Sequence, residues 1–121
     1  MGLLLRRKLR KVAAVRAPYV VDLSEYRPAP PELVKALLSA ISSLLPVRDF
    51  PILPSDNLWT LFDLDQGCVE NEIENVLERF APSAPPLGAE PDIPPPETVR
   101  DVIRRVHHHA APYLRPATTN S

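Results

Sequence analysis

Three groups of side chains have residue types that do chemistry in other proteins. His107, His108 and His109 run consecutively, and imidazole is both a metal ligand and a proton carrier. Successive helical residues point about 100° apart, so three in a row do not converge on one ion as an i, i+4 pair does. Solvated imidazoles near the negative pole of a helix dipole are expected instead. Asp63, Asp65, Gly67 and Glu74 set hard oxygen ligands at the alternating positions of a calcium loop, with Glu74 twelfth when Asp63 is first. That pattern breaks at Cys68, where the sharp turn demands glycine, and at Glu70, where a hydrophobic residue anchors the loop. Cys68 needs a neighbouring base to act as a nucleophile, and Asp65, Glu70 and Glu72 surround it with charge of the same sign as a thiolate. No Ser/His/Asp order, glycine-rich phosphate loop or His-Glu-x-x-His pattern is present. The expectation is a non-catalytic chain with no metal and no cofactor.

Charge is distributed more sharply than the net value of −1 suggests. Residues 1–16 carry Arg6, Arg7, Lys8, Arg10, Lys11 and Arg16 and no acid, whereas residues 55–80 carry Asp56, Asp63, Asp65, Glu70, Glu72, Glu74 and Glu78 against Arg79 alone. Opposite blocks of this size pair with each other or wait for different partners. In the basic block Leu3, Leu4, Leu5, Leu9, Val12 and Val15 are interleaved with the cations. Such a segment suits an anionic membrane surface, nucleic-acid phosphates, an organelle-targeting presequence, or an arm folded back on the acids. Gly2 invites myristoylation, but Arg6 stands where that motif wants Ser or Thr.

With 121 residues, the chain has room for one small domain. Hydrophobic residues at 45% supply a modest core, and 16 prolines break the backbone into short elements. A lone Cys68 excludes a disulfide-stapled scaffold and points to a reducing compartment, hence a cytoplasmic location, with organelle targeting through the basic segment as the alternative. No run approaches the roughly 18 apolar residues of a membrane span.

Along the chain, Tyr19 to Leu23 reads as a short extended piece. Pro31 suits a first helical position, and Leu33, Leu37, Ile41 and Leu44 follow at helical spacing, so a helix is expected over 31–45 with Pro46 as its stop. Residues 46–64 read as an apolar packed loop in which Ser55 or Asp56 caps a short turn through Phe62. Val69, Ile73, Val76, Leu77 and Phe80 define an amphipathic helix over 66–80, with Asp65 as N-cap. Residues 81–96 contain seven prolines and read as an extended tether. Pro96 and Glu97 open a helix over 96–109 through Val99, Val102, Ile103 and Val106. The expected organisation is a basic arm over 1–22, one helical domain over 23–114 and a disordered tail over 115–121. Its core is Leu37, Ile41, Trp59, Phe62, Ile73, Val76, Leu77, Phe80, Val102, Ile103 and Val106.

This order of elements resembles that of acyl carrier proteins. The stretch DNLWTLFDLDQGCVENEIENVLERF over 56–80, with Leu64-Asp65 at the helix start and Val76-Leu77-Glu78-Arg79-Phe80 at its end, is similar to the carrier loop and second helix. ETVRDVIRRV is similar to the family's last helix. The resemblance covers roughly residues 31–109. Where carriers have Asp-Ser-Leu, with the serine bearing phosphopantetheine, this chain has Asp65-Gln66-Gly67. The resemblance therefore implies an all-α bundle of three to four helices with an acidic recognition helix and no prosthetic group.

Two functional expectations follow. In the first, Asp65, Glu70, Glu72 and Glu74 bind a protein partner with a basic surface. In the second, Arg6, Arg7, Lys8, Arg10 and Lys11 hold a peripheral adaptor on anionic lipid or nucleic acid. No small-molecule substrate is evident.

Overall fold

The computed structural model of the chain describes residues 2–16, 20–86 and 97–114. Most of the proline-rich tether and the tail 115–121 lie outside the described residues, as does Tyr19. Four helices carry the fold: α1 (Gly2–Arg16), α2 (Pro31–Ser43), α3 (Gln66–Phe80) and α4 (Val99–Ala110). The described residues contain no strand, and an isolated antiparallel bridge joins Asn57 to Thr98. The architecture is all-α, as expected.

Helices α2 and α3 form the central pair. Helix α2 starts with proline at its first position and buries Leu33, Val34, Leu37 and Ile41. It ends at Ser43, two residues short of the expected limit. The N–H groups of Leu44 and Leu45 donate to the Ile41 and Ser42 carbonyls at 3.0 Å, tightening the last turn. Pro46 explains this early end, because a proline disfavours α backbone in the residue before it. Helix α3 has the expected bounds, with Val69, Ile73, Val76 and Leu77 buried. The Asp65 carboxylate caps it by accepting from the Cys68 N–H at 3.1 Å. A Cβ at Gly67 would stand 3.1 Å from that carboxylate, so glycine leaves the cap its room.

Helix α4 begins at Val99 instead of Pro96, because the loop before α3 supplies its start. The Val99 N–H donates to the Asp56 carbonyl (2.9 Å), Arg100 N–H to the Pro54 carbonyl (2.8 Å) and Asp101 N–H to Thr98 Oγ1 (3.1 Å). Three otherwise orphaned donors are thereby satisfied. The same loop buries Phe50, Ile52, Leu58 and Phe62, with the Phe50 and Phe62 rings edge to face at 5.4 Å. Its short turn is capped by Asn57, whose Oδ1 accepts from the Trp59 and Thr60 N–H groups at 2.9 Å. That corrects the expected Ser55 or Asp56 cap, since Asp56 is buried and otherwise engaged. Trp59 and Phe80, expected in the core, are only half-buried at its edge.

Of the expected extended piece, residues 20–22 lie outside any helix, with Asp22 in extended backbone, and only Leu23 enters a helical turn. Asp22 caps a 3-10 turn over Leu23–Tyr26 that carries Tyr26 into the core. The first residues of the tether also pack, with Ala81 buried and Ala84 half-buried.

Most of the basic arm expected over 1–22 forms the helix α1. Residues 5, 9, 12 and 16 recur at i, i+4, i+7 and i+11 and share one side of a helix. Leu9 is fully buried there, and Leu5 and Val12 pack against the core. The fourth member of that line, Arg16, reaches Asp56, whose side chain is 3% exposed. Its guanidinium donates to both carboxylate oxygens, at 2.7 and 2.5 Å, and to the Pro51 carbonyl at 2.8 Å. It also lies over the Phe50 ring, 5.4 Å from the centroid. The Asp56 carboxylate accepts once more from the Leu53 N–H at 2.8 Å.

Candidate functional site: the outward side of the first helix

Docking through one line of residues turns the others outward. Leu4, Lys8, Lys11 and Val15 repeat the i, i+4, i+7, i+11 spacing, as do Leu3, Arg7, Arg10 and Ala14. Each outer line therefore reads apolar, cation, cation, apolar. Leu3, Leu4 and Val15 are 77%, 75% and 85% exposed, and Arg6, Arg7, Arg10 and Lys11 are exposed with no ion pair among the described residues. Lys8 sits at the edge, where its Nζ donates to the Thr60 carbonyl at 3.2 Å. The outward side thus combines uncompensated positive charge with apolar side chains in water.

The acidic helix is organised differently from the expectation that Asp65, Glu70, Glu72 and Glu74 act together. Asp65 is occupied as the cap. Glu72 lies about 160–200° around the helix from Glu70 and Glu74. It lines a groove of about 240 Å³ between α2 and α3, with Ala36, Ser39, Ala40 and Ser43 on the opposite wall and Asn75 and Arg79 on its own. Glu70, Glu74 and Glu78 form the actual line at four-residue spacing, and Glu70 accepts from Gln66 Nε2 at 3.2 Å.

Among the described residues no group of three or more His, Cys, Asp or Glu side chains is placed to hold a metal ion. Asp63 takes a left-handed backbone with φ of 53°, a conformation Asp tolerates better than most side chains. A ring nitrogen of His109 lies 2.6 Å from the Pro85 carbonyl, which accepts its N–H, and ties the end of α4 to the start of the tether. Cys68 is exposed in the first turn of α3. Gln66 also lies exposed in that turn.

The sequence singles out the cations of α1, but not which of its apolar residues face water. The signal was in the spacing, because only the 5-9-12-16 line pairs three apolar residues with a cation at its end. No helix among the described residues is long and apolar enough to cross a membrane. No family model, curated protein or solved structure matches the chain.

Proposed function

We propose that this chain is a non-catalytic peripheral adaptor that attaches to a polyanionic surface through the outward side of α1. The observation that carries the reading is the division of the six basic residues. Arg16 is consumed inside the fold by Asp56 and Lys8 donates to the Thr60 carbonyl, while Arg6, Arg7, Arg10 and Lys11 remain exposed without an ion pair among the described residues. Charges held on a rigid, docked helix lose less freedom on binding than the same charges on a loose arm. The acyl-carrier likeness of residues 31–109 fits this role as a scaffold: Gln66 has no hydroxyl for a prosthetic group, so the domain presents surfaces and carries no acyl chain. The compartment is the reducing cytoplasm.

The test is retention on immobilised heparin across a salt gradient. Arg6→Gln/Arg7→Gln/Arg10→Gln/Lys11→Gln should elute at much lower salt than the parent, with its helix content unchanged. Equal elution of the two proteins would refute the reading.

A second reading rests on α3. Its exposed Glu70 and Glu78, with Glu74 between them, give a basic protein surface a line of carboxylates about 12 Å long at 1.5 Å per residue, and such charge steers encounter more than it fixes affinity.

A further inference from the structure

We infer that the surface met by α1 is an anionic phospholipid bilayer, on which the helix lies flat while still docked to its own domain. This inference rests on the adaptor reading and names its partner. Phosphates of any polyanion satisfy Arg6, Arg7, Arg10 and Lys11, so the cations alone do not choose between lipid and nucleic acid. The apolar ends of the two outer lines do choose. Leu3 and Leu4 stand at one end of α1 and Val15 at the other, all at least three-quarters exposed, with the cations between them. Leu4 and Val15 are separated by eleven residues, three turns, and so lie on one side about 16 Å apart along the axis. A duplex offers no apolar layer for such side chains along its phosphates. A bilayer offers headgroup phosphates above acyl chains, and a helix lying in that boundary buries its apolar side chains about 5–10 Å deep while its cations stay at headgroup level. Arginine and lysine stems are long enough to reach back to that level.

The inner line cannot be the lipid-facing one while the fold is intact. Leu9 is fully enclosed and Arg16 is held by Asp56, so the domain fixes which side of α1 is presented. The bilayer-facing set is then Leu3, Leu4, Arg7, Lys11 and Val15.

The experiment uses the full chain with phosphatidylcholine vesicles, with and without phosphatidylserine, and a duplex DNA oligomer in parallel. The chain is expected to co-sediment with the phosphatidylserine vesicles at low salt and not with phosphatidylcholine alone. Leu3→Ser/Leu4→Ser/Val15→Ser is expected to weaken that partitioning by about 10- to 100-fold with unchanged circular dichroism. Independently of that variant, Leu4→Trp should add a tryptophan emission that shifts to the blue on the anionic vesicles. Serine replacement without effect, an unshifted Leu4→Trp emission, or binding to DNA and not to vesicles would overturn the inference and leave the adaptor reading standing. Binding to neither would overturn both.

Discussion

Arg16 and Asp56, forty residues apart, form a two-pronged ion pair that ties the end of the basic segment to the start of the acidic one. Arg16 also holds the Pro51 carbonyl, and the Asp56 backbone carbonyl accepts from the first residue of α4. One pair of side chains thereby joins α1, the loop before α3, and α4. Its meaning is structural: it spends one charge of each block to fix the geometry that leaves the remaining charges exposed.

Removing one partner should cost far more than a surface ion pair would. Asp56→Ala leaves the Arg16 guanidinium in a largely buried position without its carboxylate, and the Leu53 N–H loses its acceptor. A loss of about 3–5 kcal/mol is expected from the buried charge, read as a shift of the urea unfolding midpoint. Arg16→Met should also destabilise, and the double variant should cost clearly less than the two single losses together. Additive losses would show that the two residues act separately.

Leu9 and Leu3 lie on the same helix and should behave oppositely. Leu9→Ala empties a fully enclosed site and is expected to cost about 2–5 kcal/mol, whereas Leu3→Ala, at 77% exposure, should change stability by less than about 0.5 kcal/mol. Thermal unfolding of the two variants decides this. Equal, small effects would mean that α1 does not dock on the domain.

The Asp22 carboxyl should titrate below its ordinary value. It accepts from the Ser24 hydroxyl at 2.6 Å and from the Ser24 N–H at 3.0 Å, and both bonds favour the charged form. A depressed folded value means the capping contribution is present above the ordinary carboxylate pKa and is lost as pH falls through the folded one. Ser24→Ala removes the hydroxyl, the larger cause, so the carboxyl resonance of Asp22 should titrate at higher pH in that variant. An unchanged titration would show that the hydroxyl does not set it.

Local features were legible in the sequence because they depend on neighbours. The bounds of α3 and its Asp65 cap follow from an apolar stripe preceded by a carboxylate, and α2 follows from proline at its first turn. Features set by distant partners were not legible. Arg16 belongs by sequence to the basic run and by structure to the buried interior, and nothing near it announces Asp56. The start of α4 moved to Val99 because carbonyls of Pro54 and Asp56, more than forty residues away, receive its first N–H groups. In the outward site, charge was visible from the start, but exposure of Leu3, Leu4 and Val15 required knowing which line of α1 docks.

The acids of α3 can be separated by what each holds. Asp65→Ala removes a cap from the first turn and should cost about 1 kcal/mol of stability, without altering any surface that Glu70, Glu74 and Glu78 present. Charge reversal at Glu70, Glu74 and Glu78 should leave the cap intact. If the second reading holds, that reversal should abolish capture of a basic protein such as a polylysine-rich ligand at low salt. Glu72→Lys, on the groove side across the helix from that line, should have little effect on that capture. Urea midpoints for Asp65→Ala and binding titrations for the glutamate variants check both halves. Capture that fails with Glu72→Lys and survives the triple reversal would move the binding surface from the Glu70-Glu74-Glu78 line to the groove between α2 and α3.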